Sequence, residues 1–304
     1  MLKITGNYFL GIFLYTLVII LLADFGRILL KYVFHASWIH SRTAFTVAGA
    51  ICALLILLLS ACGIFHAKYI KTTSYDVIIN KTIPERTSMK VVLLADTHFG
   101  YNAGVLHARE LVRKINKQKP DLVCIAGDIF DNEYDAIRNP EKLEKTLRGI
   151  KSTYGVYACW GNHDLNEEIL AGFTFKHKDG DLSDIKDPRM KKFLEDSNIH
   201  ILEDESVLIN DQFYVIGRKD ASLTEKIHET RKAPAQLTEK LNRDKPIIMI
   251  DHQPKELQEL ADAGVDLDLC GHTHNGQTFP GNFTIKLMWE NPCGLLSKDN
   301  MTNI

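Results

Sequence analysis

The chain has 304 residues, 45% of them hydrophobic, and a formal net charge of −2. This length allows one large domain or two modest ones, and the near-neutral charge offers no electrostatic case for nucleic-acid binding. Two long uncharged runs lie near the N-terminus, whereas charged residues occur throughout the sequence after Lys68. The sequence therefore predicts a membrane region at residues 1–70 and a globular domain at residues 71–304.

The two uncharged runs cover residues 8–23 and 44–65. A helix needs about 20 apolar residues to cross a bilayer core of about 30 Å, so the second run is predicted to be a transmembrane span rather than a buried core helix. The first run is shorter, and the apolar part of a signal peptide is the alternative. No small-residue cleavage site follows it, while Arg27 and Lys31 suit a helix end at the membrane surface. We therefore expect a transmembrane helical hairpin.

Basic residues lie on both sides of this hairpin. The loop between the spans carries Arg27, Lys31 and Arg42, and the opposite side carries Lys3, Lys68, Lys71 and Lys81. The positive-inside rule favours a cytoplasmic globular domain, but only by a narrow margin. The cysteines form no C-x-x-C pair and no disulfide framework that would decide the compartment.

From Met89 onward, short apolar runs alternate with amphipathic stretches. Strands are predicted within residues 89–96, 121–128, 155–164, 245–252 and 266–274, and helices at 105–115, 141–150 and 254–263. Residues 199–220 read as two or three further strands that turn near residues 203–205 and 210–211. Alternation of this kind indicates an α/β domain.

Polar residues follow the ends of these strands, namely Asp96, Asp128, Asn162, His252 and His272. Ligands of open α/β sheets bind outside the carboxyl ends of the strands. We therefore expect these residues to meet at one edge of one sheet. Taken singly, each is as easily explained as a turn residue, a helix cap or a core histidine. The two histidines of Gly-His-Thr-His at 271–274 are the most specific signal, because residues two apart in extended backbone project to the same side.

In this order, the motifs resemble those of the calcineurin-like metallophosphoesterases, whose pattern is D-x-H, G-D, G-N-H-[DE], H and G-H-x-H. The resemblance runs from about residue 89 to 277 and includes the phrases KPDLV, GVYACWGNHD and GHTHNGQ, as in membrane-anchored or exported bacterial members. It implies a layered sandwich in which β-sheets are flanked by helices. The transmembrane hairpin would precede this sandwich.

The resemblance also implies two divalent metal ions, which could be manganese, zinc, iron or magnesium. One ion would be held by Asp96, His98, Asp128 and His274, and the other by Asp128, Asn162, His252 and His272. A hydroxide between the ions would attack the phosphorus of a phosphate mono- or diester. His163 is expected to protonate the leaving oxygen, and Asp164 is expected to orient His163 or keep it protonated.

The sequence leaves the substrate open, and both lipid-linked and nucleotide substrates fall within the family's range. Residues 176–187 are a candidate substrate-facing loop, with a disordered surface insertion as the alternative. Two other function classes compete with an enzyme: a catalytically inactive metal-binding scaffold and a membrane sensor. Family members usually continue with further strands beyond the last motif, so we expect a truncated or C-terminally divergent member. The oligomeric state is not predicted.

Overall fold

The computed structural model describes residues 2–84, 86–167, 169–170, 173–174, 186–277 and 281–304. The helices are α1 (Leu2–Tyr32), α2 (Arg42–Ala67), α3 (Val105–Gln118), α4 (Pro140–Leu147), α5 (Pro188–Asp196), α6 (Ala221–Lys226), α7 (Pro234–Thr238), α8 (Leu257–Asp262) and α9 (Gly281–Met288). The strands are β1 (Val91–Leu94), β2 (Leu122–Ala126), β3 (Val156–Cys159), β4 (Ile169–Leu170), β5 (Phe173–Thr174), β6 (His200–Ile201), β7 (Glu205–Ile209), β8 (Phe213–Gly217), β9 (Ile247–Ile250), β10 (Leu267–Leu269), β11 (Leu296–Lys298) and β12 (Met301–Asn303). Of the predicted substrate-facing loop at 176–187, only residues 186 and 187 belong to the described part of the chain.

The chain divides into two compact units. One contains the residues up to Lys71 together with the short antiparallel pair β4–β5. Tyr8–Tyr32 and Arg42–Ala67 are each long and apolar enough to cross a membrane, and the most apolar stretch of each has no residue buried inside the unit. Both helices extend beyond the predicted spans, and α1 continues through Asp24 and Arg27. The Ser41 hydroxyl caps the start of α2 by accepting a hydrogen bond from the Ala44 N–H at 3.1 Å.

The other unit, residues 72–168 and 175–304, is built on two sheets. The first is fully parallel, in the order β1-β2-β3-β6. The second has the order β11-β12-β10-β9-β8-β7, with a parallel centre and an antiparallel strand at each edge. This arrangement confirms the predicted α/β fold with helices flanking β-sheets.

The expectation of a single sheet is wrong. The first sheet ends at the short β6, and the antiparallel hairpin β7–β8 begins the second. The two sheets pack face to face through alternate apolar residues of their strands. Leu122, Cys124 and Ala126 of β2 share one buried cluster with Val215 of β8 and Ile248 of β9. Burying this shared apolar face is what makes two layers more stable than one wide sheet.

Helices cover the outer face of the second sheet. Ile247 and Met249 of β9 pack with Leu257 and Leu260 of α8 and with Leu237 of α7. Strand β9 is therefore buried on both sides, which explains its uninterrupted apolar sequence. A strand this well packed gives the residues that follow it a fixed position.

Candidate metal centre

The strand-end residues come from both sheets. Asp96, Asp128 and Asn162 follow β1, β2 and β3 of the first sheet within three residues. His252 and His272 follow β9 and β10 of the second sheet equally closely. Two groups of side chains in the described residues could each hold a metal ion, one made by Asp96, His98 and His274 and the other by Asp128, His252 and His272. Each group mixes residues from both sheets.

In the first group, the Nε2 atoms of His98 and His274 lie 3.4 Å apart, and His274 Nε2 lies 3.6 Å from Asp96 Oδ1. Burial is the main reason that the pKa of His98 falls to about 4. The His98 ring is therefore neutral at physiological pH and has a lone pair available for a cation. A neutral imidazole beside a carboxylate is a donor set that divalent transition metals accept.

The second group is centred on the Nε2 atom of His252. The other ring nitrogen, Nδ1, lies 2.8 Å from the Ala126 carbonyl oxygen, which can only accept a hydrogen bond, so Nδ1 carries a proton. Nε2 then faces Asn162 Oδ1 at 3.0 Å, Asp128 Oδ2 at 3.2 Å and His272 Nδ1 at 3.2 Å. These atoms converge on one point. A proton or a cation is required there, because lone pairs alone would repel one another.

In the metal-free chain a proton can take that place. Burial disfavours a charge on His252, yet the Asp128 carboxylate outweighs this effect and raises the pKa of His252 to about 10. The pKa of His272, in contrast, is lowered to about 4, chiefly by burial and then by His252. The donor set thus fits a cation whose binding displaces a proton from His252.

The two carboxylate oxygens of Asp128 have different partners. Oδ1 accepts a hydrogen bond from the backbone N–H of His163 at 2.8 Å. Oδ2 lies 3.2 Å from His252 Nε2 and 3.9 Å from His98 Nε2, between the two groups. This position suits the bridging role that the resemblance implies for Asp128.

Two glycines allow the backbone to pass close to Asp128. Gly127 has a φ of +72°, and a Cβ there would lie 2.7 Å from His252 Nδ1. A Cβ at Gly161 would lie 2.2 Å from Asp128 Oδ1 and 2.4 Å from the Asp128 backbone nitrogen. Side chains at these positions would collide with the candidate ligands themselves.

Five of the candidate ligands have left-handed backbone conformations. Asp96, His98, Asp128, His272 and His274 have φ values of 53°, 41°, 50°, 70° and 47°. Such left-handed conformations cost non-glycine residues on the order of 1–3 kcal/mol each and cluster at functional sites. The same conformation occurs at turn residues elsewhere, such as Lys119 and Asp204, so the motifs and the side-chain contacts, and not the backbone strain, select the candidate ligands.

The contacts of Asp164 differ from the sequence expectation. Its buried carboxylate accepts hydrogen bonds from the backbone N–H groups of Phe130 at 2.8 Å and Gly161 at 2.7 Å. Burial and, next, the nearby Asp128 raise the pKa of Asp164 to about 8. Asp164 therefore holds two loops of the site together, and the ring of His163 has another partner.

That partner is Asn132, which the sequence reasoning missed. Asn132 is fully buried, and its Oδ1 lies 2.6 Å from His163 Nδ1. Its backbone N–H also donates to the His163 carbonyl oxygen at 3.2 Å. The only sequence signal was that Asn132 lies four residues after Asp128 in a polar turn.

A second missed feature is the buried arginine beside His252. Arg218 is 1% exposed and donates from Nη1 to Asp251 Oδ2 at 3.1 Å and from Nη2 to Glu256. Asp251 directly precedes His252, so this ion pair fixes the chain where β9 ends. A buried charge of this kind is tolerated only when it is paired.

Comparisons with known proteins assign the chain to a family. Residues 89–276 match the family model described as calcineurin-like phosphoesterase. The chain is 32% identical over 210 residues to an uncharacterized metallophosphoesterase of Campylobacter jejuni, covering 66% of this chain and 48% of that protein. It is 27% identical over 252 residues to a transmembrane protein with metallophosphoesterase domain of Bos taurus, covering 79% of this chain and 52% of the relative.

A UDP-2,3-diacylglucosamine pyrophosphatase of Chlamydia trachomatis is 22% identical over 233 residues, covering 66% of this chain and 68% of that enzyme. The chain spans about half the length of the Campylobacter and bovine relatives.

Proposed function

Because the chain belongs to the calcineurin-like phosphoesterase family, we propose that it hydrolyses a phosphate ester at a two-ion centre and is anchored in a membrane. The family assignment supports activity as a metal-dependent phosphoric ester hydrolase. One observation carries the two-ion proposal: Asp128 Oδ2 lies between two groups of side chains, each of which could hold an ion.

One ion would be held by Asp96, His98, Asp128 and His274, and the other by Asp128, Asn162, His252 and His272. Bound divalent cations supply Lewis acidity toward the phosphoryl oxygens and lower the pKa of water. The ligand set contains two carboxylates, Asp96 and Asp128, alongside neutral nitrogen and amide donors. Since two carboxylates offset only half of the charge of two divalent ions, the centre stays positive and attracts phosphate.

His163 is the proposed proton donor to the leaving oxygen. Asn132 Oδ1 can accept a hydrogen bond from His163 Nδ1, which leaves Nε2 as the nitrogen that transfers a proton. The His163 ring contacts the His98 ring edge-on, with 5.2 Å between centroids, so it lies beside the candidate ligands. In this proposal Asn132 orients His163, whereas the sequence led us to expect Asp164 to orient it or keep it protonated.

The first substrate class to test is a lipid-linked phosphate or pyrophosphate ester. The Chlamydia trachomatis relative is named for a diacylated substrate, and this chain carries two helices that could cross a membrane. Nucleotides are the second class, because the same ions serve both. Lipid-linked esters come first because they lie in the membrane that would anchor the chain, whereas nucleotides are dissolved in water.

The test uses the full-length protein in detergent, stripped of metal and then reloaded with manganese, zinc, iron or magnesium. We expect metal-dependent hydrolysis of nitrophenyl phosphate or of its diester. Asp128→Asn should lose both metal content and at least about 10²-fold in rate, since misplaced reacting groups alone cost that much. Asp262→Asn, a carboxylate exposed on α8, is the matched control and should behave as the unmodified chain.

The scaffold alternative predicts a different result. A chain that holds two ions per molecule but hydrolyses neither nitrophenyl ester, nor nucleotides, nor lipid pyrophosphates would contradict the enzymatic proposal. Full metal content and turnover in Asp128→Asn would contradict the bridging role.

A further inference from the structure

Helix α9 exposes large apolar side chains to solvent. Leu287 is 88% exposed, Met288 75% and Phe283 61%. The helix contains no acidic residue, and Lys286 lies among the exposed positions. Soluble surfaces rarely leave several large apolar side chains together in this way, so the face indicates a binding surface.

This helix lies close to the candidate metal centre. It follows the short 3₁₀ turn His274–Gly276, and a Cβ at Gly276 would lie 2.3 Å from the backbone of Gly281. At its other end, the ring of Trp289 packs edge-on against the His272 ring, with 5.1 Å between centroids. Lys255 Nζ lies 5.4 Å from the Trp289 ring centroid. The apolar face and the candidate ligands are therefore neighbours.

We propose that α9 is an interfacial helix that docks on the lipid bilayer that holds the two spans. Exposed Leu and Met beside Lys, followed by Trp, is the composition of helices that lie in the membrane interface. Lys286 and Lys255 would face anionic headgroups. Helix α9 carries no acidic side chain that these headgroups would repel.

Because the connection between α2 and the globular unit is short, weak binding of α9 to the bilayer is enough for docking. Helix α2 ends at Ala67 and the globular unit begins at Thr72. The four residues between them reach at most about 14 Å when extended. Since the spans hold the domain near the bilayer at all times, docking is an intramolecular event with a high effective concentration. One short helix can then bind a surface that it could not bind alone.

Docking of α9 would place the metal centre at the level of the lipid headgroups. A phosphate carried by a lipid lies at that level, whereas a soluble ester reaches the centre in either position. This consequence for substrate delivery rests on the proposed function, while the docking itself rests on the membrane anchoring.

The test measures quenching of tryptophan fluorescence in the full-length protein. The protein is placed in nanodiscs of phosphatidylcholine and phosphatidylglycerol, with either brominated or ordinary acyl chains. Subtracting the signal of Trp289→Phe isolates Trp289, and subtracting that of Trp38→Phe isolates Trp38, which lies between α1 and α2. We expect brominated lipid to quench both residues.

Leu287→Glu should abolish the quenching of Trp289, because a carboxylate resists burial in lipid. Leu208→Glu, a partly exposed position on the outer strand β7, is the matched control and should leave the quenching intact. Neither variant should change turnover of nitrophenyl phosphate.

The outcomes distinguish the docking of α9 from the membrane anchoring of the chain. Quenching of Trp38 without quenching of Trp289 overturns the docking of α9. Quenching of neither residue overturns the membrane anchoring and the docking with it. An unquenched Trp289 together with a cross-link between position 287 of two copies would assign the face to a second copy of the chain.

Discussion

Gly161→Ala adds one methyl group at the point where the backbone passes closest to Asp128. The φ of Gly161 lies outside the left-handed region, so alanine has no conformational penalty there and the effect is steric. The new Cβ would lie 2.2 Å from Asp128 Oδ1 and would have to retreat to at least 3.0 Å, a shift of 0.8 Å. The backbone nitrogen of Asp128, at 2.4 Å, blocks retreat in a second direction.

That shift is large on the scale that catalysis tolerates. A misplacement of about 1 Å can lower a rate by about 10²-fold, and disturbed support of a metal ligand typically costs about 10–100-fold in affinity. We therefore expect Gly161→Ala to lose metal content on gel filtration and about 10²-fold in turnover of the nitrophenyl diester. Element analysis and steady-state kinetics on the same sample measure both quantities.

Gly104→Ala is the matched control. Gly104 precedes α3 with a φ of −138°, and a Cβ there meets no atom within 4 Å. This variant should keep both ions and its full rate. The reasoning is refuted if Gly161→Ala also keeps both ions and turns over within a few-fold of the unmodified protein.

Three further results are expected. Asn132→Ala should keep its metals and slow the hydrolysis of alkyl phosphates, but by less than the loss of about 10²–10⁴-fold that is typical when a general acid is removed. Hydrolysis of nitrophenyl esters should change little, and equal losses on both substrates would show that His163 is not the proton donor. Metal binding followed by calorimetry at pH 8 should release about one proton, because the pKa of His252 is about 10 while the pKa values of His98 and His272 are about 4. The affinity for the metal should therefore rise about tenfold per pH unit. Identical heats of binding in buffers of different ionisation enthalpy would contradict this release. The full-length chain should stay in the membrane pellet after carbonate washing, and its release without detergent would disprove integral anchoring.

Local sequence patterns predicted the elements and the strand-end residues well. The strand β9 is a continuous apolar run bounded by Lys245-Pro246 and Asp251-His252, so its limits were readable without knowing its neighbours. The helix α3 has its buried positions at helical spacing, including Leu111, Val112 and Ile115, and the structure extends the predicted helix by only three residues. In each case the signal lies within one element.

The features that sequence reasoning missed depend on contacts between distant segments. The division into two sheets depends on whether β6 or β8 pairs with β3. The alternation of inward and outward side chains along each strand is the same in either case, so it does not decide the pairing. The contact between Asn132 and His163 joins two loops 31 residues apart, and the ion pair of Arg218 with Asp251 joins the ends of the neighbouring strands β8 and β9. No periodicity records such pairings.

The distribution of the candidate ligands along the chain sets a limit on when the proposed metal ions can bind. Each of the two side-chain groups needs a histidine from residues 252–274 as well as a carboxylate from residues 96–128. A ribosome that has released only the first sheet has therefore produced neither site in complete form. During synthesis the early half lacks its ligand partners from the second sheet, and both groups become complete only after the Gly-His-Thr-His segment has left the exit tunnel. Metal availability should accordingly govern the last stage of maturation and leave the folding of the first sheet unaffected.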